Sequence, residues 1–199
     1  MTTDAIADAK RALRAELRER RQQRSEAARA AAASGVKEQL DALVARTGAR
    51  SISCFLSAPT EPGTREFVDE AVRRGIRVLL PVTRRDGLLD WAVATLDGDV
   101  AEGLFGMPEP VGDVLSPLAV NDVDLMIVPA AAVDGTGMRL GWGRGYFDKT
   151  LGSMEHCPPV YAVVFDSELV DEVPRDLHDQ PVTGVVTATR TIELAPRRR

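Results

Sequence analysis

Apolar residues recur along the chain with two different periods, and the predicted architecture follows from where one gives way to the other. Residues 4 to about 33 carry Ile6, Leu13 and Leu17 at near-helical spacing in a background of Ala, Leu, Arg, Glu and Gln without Pro or Gly, which predicts a helix. A second helix is predicted from about Gly35 to Arg46, stopped at Gly48. The period then shortens: residues 51–57 read as a strand, 64–74 as a helix closed by Gly75, and 76–82 as another strand. Strand, helix and strand joined by short links make a βαβ unit, hence a parallel sheet with helices on its faces. Residues 89–94 predict a further strand, antiparallel or at an edge, and 97–117 a loop-rich stretch with several Gly and Pro. The β-branched apolar run 124–129 predicts a buried strand that feeds a glycine-rich segment, 134–148. A helix is expected to open at Tyr146 and run to Leu151, with later strands at 160–165 and 185–189. The expected whole is one domain over 1–199: helices in 1–48, an α/β core in 49–190 and a tail in 191–199 that frays at Pro196 to Arg199.

Charge and composition narrow the function. The 199 residues, 44% hydrophobic and 28% charged, suffice for a soluble globular protein with a substantial core. The net charge of −5 divides into +4 over the first 50 residues, with eleven basic and seven acidic groups, and −9 over the rest. An acidic body argues against nucleic acid as a partner, since phosphate backbones demand a broad basic footprint, but a local basic site for a small anion stays open. Cys54 and Cys157 stand alone, without metal or redox spacing, as expected of reduced thiols in a cytoplasmic protein. Met1 to Lys10 lacks the layout of a secretion signal. The charge-free run Leu125 to Val133 is about half the length needed to span a bilayer, so no membrane is expected.

Four groups of residues suggest chemistry. The sharpest is Arg139-Leu140-Gly141-Trp142-Gly143-Arg144-Gly145-Tyr146-Phe147-Asp148, between a buried strand and a helix. Its alternating glycines let backbone amides approach a phosphate near a helix N-terminus, Arg139 and Arg144 add cationic donors, and Asp148 offers a carboxylate to Mg²⁺. It is neither a Walker A loop nor a dinucleotide fingerprint, because Asp148 and Tyr146 stand where glycine is needed. The spacing alone equally admits a tight glycine turn with surface arginines. Lys10, Arg14, Arg18 and Arg21 share one helical face, either as a polyphosphate clamp or as a solvated stripe salted with Glu16 and Glu19. Asp179 follows His178 in a proline-led loop, as a second magnesium carboxylate or a surface residue. Glu61 lies just beyond the first strand, where ligands of open α/β sheets bind. No zinc pattern or nucleophile elbow is present.

Together these segments resemble the 5-formyltetrahydrofolate cyclo-ligase family, also called 5,10-methenyltetrahydrofolate synthetase. The resemblance rests on Lys10-Arg11-Ala12-Leu13-Arg14, on 52–61, 103–110 and 124–129, on Arg139 to Asp148 and on Pro174 to Asp179, in the family's order. It implies a three-layer α/β/α fold with an open, mostly parallel sheet and an N-terminal helical segment packed on it. It further implies that Lys10 to Arg14 and Arg139 to Phe147 bind ATP, with Lys10 and Arg144 catalytic. Leu56, Glu61 and Trp142 to Tyr146 would border the folate, and Asp148 and Asp179 would hold Mg²⁺. Of Trp91, Phe105 and Tyr146, Tyr146 is the first choice to stack on the pterin. The implied reaction passes the γ-phosphoryl group of ATP to the formyl oxygen of 5-formyltetrahydrofolate. A folate nitrogen then closes the methenyl bridge, releasing ADP and phosphate in an enzyme expected to be monomeric. Rival readings are a binding module that kept the fold without turnover, and a sugar-phosphate isomerase or CoA transferase on a similar sheet. Trp142 is a departure, standing where small or polar residues are common in the family.

Overall fold

The computed structural model describes residues 3–176 and 179–194, and of Phe105 the backbone only. Leu177, His178 and the expected fray at Pro196 to Arg199 lie outside the described residues. Helix α1 (Thr3–Gln22) ends before Ser25, whose hydroxyl accepts the Ala28 amide at 3.2 Å and caps α2 (Glu26–Thr47). The predicted break at residue 34 is therefore displaced by about three turns, and Gly35 sits inside α2. Gly35 serves close approach: a β-carbon there would lie 2.3 Å from the carbonyl oxygen of Ala188, so its absence lets α2 lie on the chain beyond the last parallel strand.

The remaining elements are β1 (Ser51–Ser53), α3 (Arg65–Arg73), β2 (Arg77–Thr83), β3 (Leu89–Val93), β4 (Val100–Glu102), β5 (Pro108–Pro110) and β6 (Val114–Leu115). After them come β7 (Leu125–Pro129), β8 (Ala132–Asp134), β9 (Arg139–Leu140), α4 (Tyr146–Ser153), β10 (Val160–Val163), β11 (Leu169–Val170), β12 (Gly184–Val186) and β13 (Thr191–Glu193). The main sheet has eight strands in the order β13-β12-β10-β7-β1-β2-β3-β6. Its five central strands are parallel, and β13, β3 and β6 run antiparallel to their neighbours. The expected strand at 89–94 is thus antiparallel, though β6 rather than β3 forms the edge. Residues 191–193, expected as tail, close the opposite edge, and the loop-rich 97–117 hides three short strands.

Strand pleating explains why β7 is apolar throughout. Leu125 and Ile127 face one layer with α2 and α3, whereas Met126 and Val128 face the other with Trp91, Leu151 and Val160. Helices on both faces make the three-layer α/β/α arrangement that the family resemblance implied. Helix α1 does not lie on the main sheet; Leu17 packs instead with Ala131, Ala132, Met138, Leu140 and Val173 around the small sheet β11-β8-β9. The chain steps from β1 to β2 on one side and to β7 on the other, so the strand order reverses between β1 and β7, where open α/β sheets form their ligand crevice.

Candidate functional site

One hollow opens beyond the carboxyl ends of β1, β2 and β7 and a second lies beside it between α1 and α4, and both are bordered by Arg139, Gly141, Gly145 and Asp148. The first, of about 290 Å³, has an apolar wall of Phe55, Leu56, Pro129, Trp142, Tyr146 and Phe147. The second, of about 700 Å³, is charged, with Lys10, Arg14, Lys149 and Asp179 on its rim. Both lie in the size range of small-molecule sites.

The glycine segment folds into the partition between them. Gly143 adopts φ +94°, and a β-carbon on it would sit 3.4 Å from the Arg14 guanidinium carbon. That approach lets Arg14 Nε donate to the Gly141 carbonyl at 2.7 Å and tie α1 to the loop. Helix α4 starts at Gly145 without a side-chain cap, leaving its first-turn amides to a ligand or solvent. Arg139 is buried, donates from Nη2 to Asp148 Oδ1 at 2.7 Å, and leaves its Nε without a partner. Burial pulls the Arg139 guanidinium below its ordinary pKa, and Asp148 and Asp179 oppose that fall. Lys10 Nζ meets Asp179 Oδ2 at 2.5 Å, with both side chains largely buried. Asp179 also accepts the Asp176 amide at 2.7 Å. The Arg14 guanidinium is lowered by burial, against the raising effect of Asp179.

Among the described residues no three or more His, Cys, Asp and Glu side chains converge as a metal cluster. The charged hollow nonetheless holds Asp148 and Asp179, an all-oxygen pair. That set fits Mg²⁺, which commonly takes one or two protein carboxylates and completes its shell with water and phosphate oxygens.

The expected site residues that reach a hollow fall into three groups. Lys10, Arg14, Leu140, Gly143 and Asp179 border the charged hollow, Leu56, Trp142, Arg144, Tyr146 and Phe147 the apolar one, and Arg139, Gly141, Gly145 and Asp148 both. Arg11 and Ala12 do not reach either; both are exposed, and Arg11 pairs with Asp8. Leu13 packs into the small cluster under α1. Glu61 is buried off the cleft, accepts the Ala58 amide at 2.9 Å, and borders a separate hollow beside α2. Burial raises the pKa of Glu61, against the pull of the Ala58 amide and Arg21. Trp91 is wholly buried in the core, so it is not available to stack on a ring; Phe105 has no described side chain. Tyr146 lines the apolar hollow and donates its hydroxyl to the Arg84 carbonyl at 2.9 Å.

The basic stripe of α1 is not a uniform solvated face. Arg21 is 1% exposed, Lys10 and Arg14 are half-buried, and Arg18, though exposed, lies over the Trp142 ring at 5.7 Å. Residues missed from the sequence include Phe55, Thr83, Glu109 and Pro129, with Glu109 accepting the Thr83 amide at 2.9 Å. Three of these stand at or just beyond strand carboxyl ends, a positional signal legible once strands are assigned.

The 5-formyltetrahydrofolate cyclo-ligase family model matches residues 6–188. The chain is 35% identical over 189 residues to a 5-formyltetrahydrofolate cyclo-ligase of Mycolicibacterium smegmatis, covering 92% of this chain and 96% of the relative. It is 32% identical over 150 residues to the Escherichia coli K12 protein of that name, covering 73% and 81%. Its fold matches the NMR structure of Aquifex aeolicus 5,10-methenyltetrahydrofolate synthetase with a TM-score of 0.78 and 26% identity, over 96% of this chain and 95% of that one.

Proposed function

The chain belongs to the 5-formyltetrahydrofolate cyclo-ligase family of enzymes, and on that premise we propose that it closes 5-formyltetrahydrofolate to 5,10-methenyltetrahydrofolate with Mg-ATP, releasing ADP and phosphate. One observation carries the reading. An apolar hollow suited to a flat ring and a charged hollow suited to a polyphosphate share a wall made of Arg139, Gly141, Gly145 and Asp148. A ring bound on one side and a triphosphate on the other would meet at that wall, where a phosphoryl group must pass between them.

A formamide oxygen is a poor leaving group until it is phosphorylated, after which the neighbouring folate nitrogen can displace it and close the bridge. Little covalent work is asked of the protein. Lys10 and Arg14 would neutralise the triphosphate, and Arg144 with the uncapped amides after Gly145 would face the phosphoryl group in flight. Phe55, Leu56 and Phe147 would exclude water from the ring side, with Tyr146 against the pterin. Asp148 and Asp179 would hold the magnesium ion, which supplies charge neutralisation to the phosphates. We include in the proposal a role in the cytoplasm as a monomer; among the described residues no helix is long and apolar enough to cross a membrane.

The test is turnover. Purified protein given 5-formyltetrahydrofolate and Mg-ATP should develop the near-ultraviolet absorbance of the methenyl product in step with ADP. Folded protein that forms neither would sink the reading. ATP failing to protect the fold while a sugar phosphate or acyl-CoA does so would favour the isomerase or transferase alternative.

A further inference from the structure

Arg21 is a charged side chain in a dry place. It is 1% exposed, donates from Nε and Nη2 to the two carboxylate oxygens of Glu168 at 2.7 and 2.8 Å, and gives Nη2 to the Ala130 carbonyl at 2.8 Å as well. Glu168 is itself buried and accepts the Phe165 amide at 2.8 Å. The guanidinium is thus held from β7's exit and from the turn after β10. Its face is then presented to aromatic rings, with the Trp142 centroid at 4.8 Å and the Phe165 centroid at 5.5 Å. Nη1 has no hydrogen-bond partner and lies 4.0 Å from Glu61 Oε1. Trp142 belongs to the glycine loop, walls the apolar hollow, and turns its indole N–H toward the Glu61 carboxylate, whose pKa it helps to lower, without closing a well-formed hydrogen bond. In a loop of glycines that weak tie leaves the plane of the ring to be set by what stacks on it, and the Arg21 guanidinium is what stacks there.

We propose that Arg21 is a positioning residue for substrate: clamped by Glu168 and the Ala130 carbonyl, its guanidinium is the platform that sets the plane of Trp142 and through it the shape of the apolar hollow. The platform acts on the ring side only, since Lys10 and Arg14 grip the loop and Asp179 independently, nearer the start of α1. The part concerning substrate rests on the folate reading above; the part concerning Trp142 does not.

Two measurements separate these. The first uses the Trp91→Phe background, which leaves Trp142 as the sole tryptophan, and needs no ligand. Arg21→Met should raise acrylamide quenching of Trp142 severalfold, while Arg21→Lys, which keeps charge without a planar face, should fall between. Unchanged quenching in Arg21→Met overturns the proposal. If the single variant fails to fold, Arg21→Met with Glu168→Gln removes both buried charges and takes its place, with the same outcomes. The second measurement is steady-state kinetics. Loss of the platform should raise KM for 5-formyltetrahydrofolate about tenfold, the scale of one desolvated cation–π contact, with KM for ATP nearly unmoved. Equal rises in both constants would mean that α1 has merely loosened, and would overturn the substrate role. Absence of turnover in the unmodified protein would count against the proposed function, and the quenching result would still decide the platform.

Discussion

The two hollows share a wall but treat charge in opposite ways. At the charged hollow the ion pairs Lys10–Asp179 and Arg139–Asp148 border the opening, with Arg139 buried behind Asp148, and on the proposed function a triphosphate and a metal ion would exchange partners with Lys10, Asp148 and Asp179. Behind Trp142, which walls the apolar hollow, a second set of charges is sealed: Arg21, Glu168 and Glu61 are buried, and no exchange is open to them. An ion pair that stands in for a ligand contributes to recognition when it opens. A sealed pair contributes to shape, and its own net stability is small because desolvation offsets attraction.

Three variants should sharpen this contrast. Lys10→Ala and Arg144→Ala remove two of the cations that the proposed function sets against the phosphates, one from each hollow, and each should lower kcat/KM for ATP on the order of 100-fold with less than about 1 kcal/mol lost in stability. A variant that turned over normally would remove its residue from the assignment, and a collapse in Tm would mean that the charged rim is structural after all. Asp148→Asn should raise the Mg²⁺ concentration for half-maximal rate by about tenfold, as a magnesium titration at saturating ATP would show. It should also cost some stability, because Arg139 is buried and loses its counter-charge.

Glu61→Gln probes the sealed side and should have the smallest kinetic effect, a severalfold change confined to the folate. Its stability effect has a definite sign. The folded pKa of Glu61 is raised by burial, so the acid's favourable contribution is complete below the ordinary carboxylate range and is lost as pH rises through the folded pKa. The glutamine form has no such loss, so its Tm advantage should be near zero at about pH 4 and grow toward neutrality. A constant Tm difference across that range would show that Glu61 is not held in a costly ionised state.

The same contrast marks what was legible in the sequence. The βαβ unit through β1, α3 and β2 could be read because its period shifts cleanly and Gly75 ends the helix. Strands of two or three residues such as β8, β9 and β11 could not, since so short a run has no period. The break between α1 and α2 is hidden because Ser25 is one polar residue in an uninterrupted helical composition, while Gly35, which reads as the start of the second helix, is a contact point inside it. In the site, chemistry and motif single out Lys10, Arg14, Arg139 and Asp148, which border one hollow. Arg21 was grouped with them as one more cation of the stripe. Its buried status depends on Glu168, 147 residues away, and the nearby hint, Leu17 on the same helical face, is too weak to fix it.

The tie between Arg21 and Glu168 also bears on how the protein is made. On a ribosome adding about 5–20 residues per second, helix α1 would emerge on the order of ten seconds before its carboxylate partner exists, and Lys10 would wait longer still for Asp179. Through that interval α1 has no platform to complete and no rim to close. A nascent chain stalled before β11 would therefore hold the parallel strands β1, β2, β7 and β10 and the glycine loop while lacking Asp179, so that the closed Lys10–Asp179 side of the charged hollow arrives late in synthesis and marks a chain close to its final crossover.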